Sequence, residues 1–130
     1  MTGNVMLASL PQIIKPTDYL PLLSTFSRPV TLDVRDVDYN RDGGIVANSV
    51  HVPFTKVVAN TDQIKQLHEA DACFIYCRTS AARALLSANR IARAYPRLPT
   101  YIIDGGIIGL QREAPMVPII DSSMPPDPPR

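Results

Sequence analysis

An α/β fold with a mostly parallel central sheet flanked by helices is the architecture this sequence predicts, and three observations predict it. Short β-branched or apolar runs alternate along the chain with stretches of helical period. One run, "ACFIY" (72–76), is apolar throughout, as expected of a strand covered on both faces. The 130 residues, 45% of them apolar, suffice for a single domain with its own core, and neither an internal repeat nor a second domain is evident.

Residues 1–15 carry weak signals. "KPTDYLPLLSTF" (15–26) predicts a helix starting at Thr17 or Asp18, with Leu20, Leu22 and Leu23 inward and Pro21 in its first turn. "PVTLDVRD" (29–36) predicts a buried strand over 30–34, and the Asp-, Asn- and Gly-rich stretch 36–44 a loop. "SVHVP" (49–53) reads as a short strand stopped by Pro53. Over 54–71 the pattern is mostly helical, with its best start at Asn60-Thr61-Asp62, Ile64 and Leu67 on one face, and Lys65 and Glu69 paired on the other. After the strand 72–76 a helix starts at Ala81 or Ala82. Leu85, Ala88, Ala92 and Tyr95 recur at helical spacing, and Pro96 ends it. "PTYIID" (99–104) is a further strand, and Gly105-Gly106 opens a short helical segment after a tight turn. The domain is expected over 1–114. The Pro-rich stretch 115–130 is expected to be an irregular tail, with Val117, Ile119 and Ile120 as its docking residues.

Formal net charge is +1, from 13 basic and 12 acidic side chains, so no broad nucleic-acid or membrane surface is expected. Ten of the basic residues are Arg, the side chain suited to bidentate binding of oxyanions, although genome composition produces the same bias. The two cysteines, Cys73 and Cys77, form no CxxC pair, and His51 and His68 are the only histidines, so no metal site is expected. In an extended strand the two Cα atoms lie roughly 13 Å apart, too far for a disulfide. No secretory signal and no run approaching the ~20 apolar residues of a membrane span is present, so the expected compartment is reducing: the cytoplasm, with the nucleus left open.

The stretch that carries chemistry is "FIYCRTSAARA" (74–84), in which Cys77 is followed six residues later by Arg83. It falls between the C-terminal end of a strand and the first turn of a helix, where open α/β sheets bind ligands. A loop of this length can curl so that successive N–H groups face one centre, and the helix N-terminus adds its positive end. Arg83 can swing back to clamp two oxygens of a tetrahedral anion. The same field favours a thiolate: at a pKa of about 8.5 only about 3% of a cysteine is ionised at neutral pH, against about 90% at a pKa of about 6. Thr79, Ser80, Ala81 and Ala82 are small enough to let the backbone approach an anion, and the Thr79 or Ser80 hydroxyl can donate to it. The spacing alone is weak, because an Arg falls six residues after a given Cys by chance about 8% of the time in so Arg-rich a chain. The strand–loop–helix context lifts it level with the reading of Cys77 as a buried structural thiol, and both readings stay open.

Several stretches, in order, resemble the rhodanese superfamily over about residues 29–112. "TLDVRD" (31–36) is similar to the early Asp-x-Arg strand. "GGIVANSVHVPF" (43–54) is similar to the "G-H-I-x-G-A-x-x-I-P" segment, with Ile45 where His usually stands. "FIYCRTSAARA" looks like the active-site strand and loop, and "TYIIDGGIIGL" (100–110) like the closing strand and Gly-Gly turn. The resemblance implies a rhodanese-like single domain. The Cys-x5-Arg loop and "SANRIARA" (87–94) are closest to the branch that holds the cell-cycle dual-specificity phosphatases and the eukaryotic arsenate reductases. For that branch it implies Cys77 and Arg83 as catalytic residues and an oxyanion-binding loop of Arg78, Thr79, Ser80, Ala81, Ala82 and Arg83. The implied substrate is a phosphate- or arsenate-type oxyanion, a phosphoprotein among the candidates. No bound metal or organic cofactor is implied, and glutathione with glutaredoxin is the implied external reductant if arsenate is the substrate. Tyr76 replaces the His common before the phosphatase cysteine, and Ala82 stands where the cell-cycle phosphatases carry Glu, which leaves the general acid unassigned. Arg78 is a feature of the sulfurtransferase branch, so a persulfide carried on Cys77 remains an alternative, as does a non-catalytic protein-binding module.

The remaining polar residues have plainer expectations. Asp33 and Arg35 are expected to pair structurally near the sheet end, His51 to be a satisfied strand histidine, and Cys73 to be a buried strand thiol. Asp36, Asp38 and Asp42 lie on one loop. Solvation is their expected role, and protonation of a leaving oxygen the alternative. Arg90 falls on nearly the same helix face as Arg83, facing solvent or buttressing the loop.

Overall fold

Residues 10–36 and 44–120 are described by the computed structural model of the chain. In chain order the elements are β1 (Gln12–Ile14), a 3-10 turn (Pro16–Asp18) running into α1 (Tyr19–Leu23), β2 (Pro29–Asp33), β3 (Ile45–Val46), β4 (Val50–His51), α2 (Phe54–Ala59), β5 (Ala72–Tyr76), α3 (Arg83–Ala94), β6 (Thr100–Ile103), α4 (Gly106–Glu113) and β7 (Ile119–Ile120). Five strands form one parallel sheet in the order β1-β6-β5-β2-β4, and β3 pairs antiparallel with β7 in a small second sheet. The expected single-domain α/β fold with a mostly parallel sheet is therefore present.

All five residues of β5 are buried, because the strand is central and covered on both faces. Its alternation divides the core in two. Ala72, Phe74 and Tyr76 pack with Tyr19 of α1 and with Ile107 and Leu110 of α4. Cys73 and Ile75, and Cys77 just beyond the strand, pack with Val57 of α2 and with Ala84, Ala88 and Ile91 of α3. Phe74 anchors the first layer, stacked on Tyr101 at 5.0 Å and edge-on to Tyr19 at 5.4 Å and Phe26 at 6.2 Å. The Asp71 carboxylate accepts the Ser27 and Arg28 amides, both at 2.8 Å, which fixes the start of β2 beside the start of β5.

Several elements depart from expectation. The helix expected from Asn60 begins earlier, at Phe54, because Pro53 serves as its N-cap with φ already set for entry and no amide to satisfy. Asn60 breaks it (φ −135°, ψ 48°), and two 3-10 turns, Thr61–Gln63 and Lys65–Leu67, follow. Ile64 and Leu67 are still buried, but Glu69 pairs with Arg28 at 3.0 Å rather than with Lys65. In α3 the buried stripe is Ala84, Ser87, Ala88, Ile91 and Ala92; Leu85, expected inward, is 44% exposed. Small residues on the inner face let the helix lie close to the sheet. Strands β1, β3 and β7 were not expected. In the described part of the expected tail, Val117 is buried, Ile119 half-buried against β3 and Ile120 exposed. Residues 121–130 lie outside the described residues, as do Asp38 and Asp42.

Truncating Phe74 removes the ring around which three others pack. Phe74→Ala is expected to lower stability by about 3–5 kcal/mol, read as a reduced urea midpoint at unchanged slope.

Candidate active site

Tyr76, the last residue of β5, is held by its hydroxyl. It donates to Asp33 Oδ2 (3.1 Å), accepts the Val46 amide (3.1 Å) and meets Ser49 Oγ at 3.0 Å. Asp33 and Arg35 form the expected pair, both fully buried. Arg35 Nη2 donates to Asp33 Oδ2 at 2.7 Å and Nε to Oδ1 at 3.0 Å. Nη2 also reaches the Gly44 carbonyl at 2.8 Å, and the guanidinium carbon lies 5.6 Å from the Tyr76 ring centre. His51 is satisfied as expected, its Nε2 donating to the Arg35 carbonyl at 2.6 Å. Burial, and next the negative charge of Asp33, push the Tyr76 phenol above its ordinary range.

Parity then decides where the thiol goes. Tyr76 faces the α4 layer, so Cys77 faces α3, and its residue is 3% exposed. The chain does not continue into helix: residues 78–82 are a run of bends, and α3 starts at Arg83, one or two residues later than expected. Ser80 turns the loop with φ 58°, a left-handed conformation uncommon outside glycine. That turn aims the Ser80 amide at Cys77 Sγ (3.2 Å), while the Cys77 amide donates to Ser80 Oγ (3.4 Å). The loop thus directs a backbone N–H at the sulfur.

The loop is also held from behind. At the start of α4 the Ile107 amide donates to the Cys77 carbonyl (3.0 Å), and the Ile108 amide to the Arg78 carbonyl (3.2 Å). Gly105 and Gly106, with φ 77° and 59°, make the tight turn expected of them. Gly106 does more: a Cβ there would collide with the Cys77 and Arg78 carbonyl oxygens.

Of the other expected site residues, Arg78, Thr79, Ala81 and Ala82 are exposed on the loop. Arg83, in the first turn of α3, forms an ion pair with Asp36 across the mouth, Nη1 to Oδ2 at 3.6 Å, with both side chains partly exposed. Arg90 is exposed to solvent. Cys73 is buried and its thiol is pushed up by desolvation; neither cysteine is in a disulfide. Among the described residues no three His, Cys, Asp or Glu side chains gather as a metal site, and no helix is long and apolar enough to cross a membrane.

No family model matches the sequence, and no curated protein does. Solved structures do match. A Saccharomyces cerevisiae homologue of single-domain rhodanese and the Cdc25 phosphatase catalytic domain aligns at 18% identity with TM-score 0.64, over 79% of this chain and 81% of that one. A rhodanese-related protein of Thermoplasma volcanium aligns at 19% identity with TM-score 0.65, over 84% and 97%. The As-Sb reductase of Leishmania major aligns at 24% identity with TM-score 0.61, over 83% and 81%. The chain has the rhodanese-like fold.

Within this rhodanese-like fold, Tyr76 stands where the resemblance leads one to expect His, and its hydroxyl joins three strands. Nothing local in "ACFIY" signals that role, because it depends on the register that sets Asp33 opposite Tyr76. Gly106 was legible only as a turn residue.

Tyr76→Phe leaves a buried Val46 amide and an Asp33 oxygen short of a partner, and is expected to cost about 1–3 kcal/mol at neutral pH. The folded protein holds the phenolic proton more tightly than the unfolded chain. This contribution is therefore complete below the ordinary value of 10.0 and is lost as the pH climbs beyond it. Denaturation midpoints measured between pH 8 and about pH 11 should fall less steeply in Tyr76→Phe than in the parent.

Proposed function

We propose that the chain is a cysteine-dependent enzyme acting on tetrahedral oxyanions, a phosphatase or an arsenate reductase, with Cys77 as nucleophile and Arg83 as the anion clamp. One observation carries the reading. A strand end delivers the Cys77 sulfur to a non-helical loop that turns the Ser80 amide onto it and then enters α3 at Arg83. A structural cysteine needs neither the left-handed turn nor the inward amide.

With a phosphate monoester, the Cys77 thiolate attacks phosphorus. An S–P bond forms as the ester P–O bond breaks, and the departing oxygen takes a proton from solvent or a side chain. Water then attacks phosphorus, the S–P bond breaks, and phosphate leaves with the thiolate restored. Arg83 and the loop amides of Arg78, Thr79, Ala81 and Ala82 hold the non-reacting oxygens, while the Ser80 amide supports the sulfur. With arsenate, the thiolate displaces an arsenate oxygen as water. Two electrons then come from Cys77 and an external thiol such as glutathione, which end as a mixed disulfide while arsenic leaves as arsenite. Glutaredoxin and a second glutathione return Cys77 to the thiol. The likeness to the fold of the Leishmania major reductase and the yeast phosphatase-domain homologue supports this range of substrates. Arg78, exposed directly after Cys77, favours sulfur transfer as the second reading.

Three assays separate the readings: an aryl phosphate, arsenate with glutathione and glutaredoxin, and thiosulfate with cyanide. Turnover in either of the first two is expected; turnover of thiosulfate alone would reassign the protein as a sulfurtransferase, and no turnover in any would leave a binding module. Cys77→Ser should abolish turnover yet bind inorganic phosphate, whereas Arg83→Ala should bind it at least tenfold more weakly, for a lost charge-assisted contact of about 1.5–3 kcal/mol. Asp36 competes with the substrate for Arg83. Since an exposed pair contributes up to about 1 kcal/mol, Asp36→Asn should tighten phosphate binding by up to about fivefold, measured by calorimetry.

A further inference from the structure

The two bonds from α4 to the loop set more than the loop's position. In a planar trans peptide the C=O of one residue and the N–H of the next point in opposite directions. The Cys77 carbonyl is bonded to the Ile107 amide, and the Arg78 carbonyl to the Ile108 amide, so both carbonyls point toward α4. The amides of Arg78 and Thr79 must then point away from α4. Opposite α4 across the sheet lies the α3 layer, into which the Cys77 side chain packs. Ser80 continues the series, with its amide on the sulfur itself.

We propose that Gly106 is a positioning residue for oxyanion binding: by bringing the first amides of α4 against the Cys77 and Arg78 carbonyls, it turns the Arg78 and Thr79 N–H groups onto the side where the anion sits above Cys77. The inference rests on the oxyanion reading of the loop. It specifies the donors for that anion and assigns their orientation to an element outside the loop. Gly106 is required for two separate reasons. Its φ of 59° is left-handed, and any Cβ would meet the two carbonyl oxygens. A side chain there pushes the carbonyls off α4 and rotates both peptide planes. Gly105 supplies a matched comparison. It has φ 77° in the same turn, but its Cβ would face Gly109 at 3.0 Å, away from the loop. Gly105→Ala therefore strains the turn without meeting the loop carbonyls.

The test uses the 15N-labelled full chain titrated with inorganic phosphate. In the parent, the Arg78 and Thr79 amide signals should shift with phosphate and gain protection from hydrogen exchange. Gly106→Ala should bind phosphate about ten- to a hundredfold more weakly, with those two signals no longer shifting. Gly105→Ala, matched for thermal stability loss, should stay within about twofold of the parent. Equal weakening in both variants, or parent-like affinity in Gly106→Ala, overturns the inference. So does phosphate binding by the parent with the Arg78 and Thr79 signals unmoved, a measurement that needs no variant to fold. Absence of phosphate binding by the parent overturns the oxyanion reading itself, and this inference with it; the other outcomes overturn the inference alone.

Discussion

A guanidinium sealed inside a small domain must have every strong donor satisfied, and among the described residues Arg35 heads the fully buried side chains by volume. Its partners come from separate elements: the Asp33 carboxylate at the end of β2, the Gly44 carbonyl just before β3, and the Tyr76 ring at the end of β5. Its own carbonyl holds His51 of β4, and Asp33 accepts the Tyr76 hydroxyl that in turn binds Val46 of β3. One buried charge therefore ties together the strand ends around the Cys77 loop. Removing either partner would leave an uncompensated charge in the interior, at a cost of about 3–5 kcal/mol, so this arrangement has little freedom to drift.

From that fixed end the strand's period of two does the rest. Because the Tyr76 ring must lie on the α4 side with Asp33 and Arg35, the next side chain must lie on the α3 side, and the next residue is Cys77. The sulfur is thereby set facing the helix whose first turn carries Arg83, while the backbone carbonyls of the loop are left on the other side for α4 to hold. Neither helix alone defines the site. One carries Arg83 in its first turn and the other bonds the Cys77 and Arg78 carbonyls.

What could be read from the sequence follows from how local each signal is. The apolar run 72–76 and the strand that follows Pro99 are recognisable alone, since a buried central strand is written in consecutive residues. The candidate loop stands out for the same reason: Cys77, Ser80 and Arg83 lie within seven consecutive residues. Strands β1, β3 and β7 are two or three residues long and exist only through their partners, so no periodicity marks them. The start of α2 at Pro53 was legible in principle, but an Asn-Thr-Asp cluster farther on offered a stronger capping pattern and won wrongly; there Thr61 bonds back to the Val57 carbonyl and helps close the helix instead. In α3 the large Leu85 outweighed small Ala84 and Ser87 in the reading, whereas close packing on the sheet selects the small side chains. The Tyr76 network and the α4 bonds depend on strand register and on a crossing some thirty residues away, which no local pattern encodes.

Two Asp–Arg pairs stand a few residues apart in this architecture, and the contrast between them bears directly on the proposed site. Asp33–Arg35 is buried, multiply bonded at 2.7 to 3.2 Å, and unable to exchange partners without stranding a charge. Asp36–Arg83 is longer, at 3.6 Å, partly exposed, and screened by solvent, so under the proposed oxyanion reading an incoming anion would take the guanidinium while water takes the carboxylate. Had the loop arginine been buried like Arg35, it would have been well ordered and unavailable. Had the sheet-end pair been exposed like Asp36–Arg83, the strand ends would lack the rigidity that aims the sulfur. The direct succession of Arg35 and Asp36 places the immovable pair and the exchangeable one on adjacent residues, so the rigidity of the first sets the reach of the second.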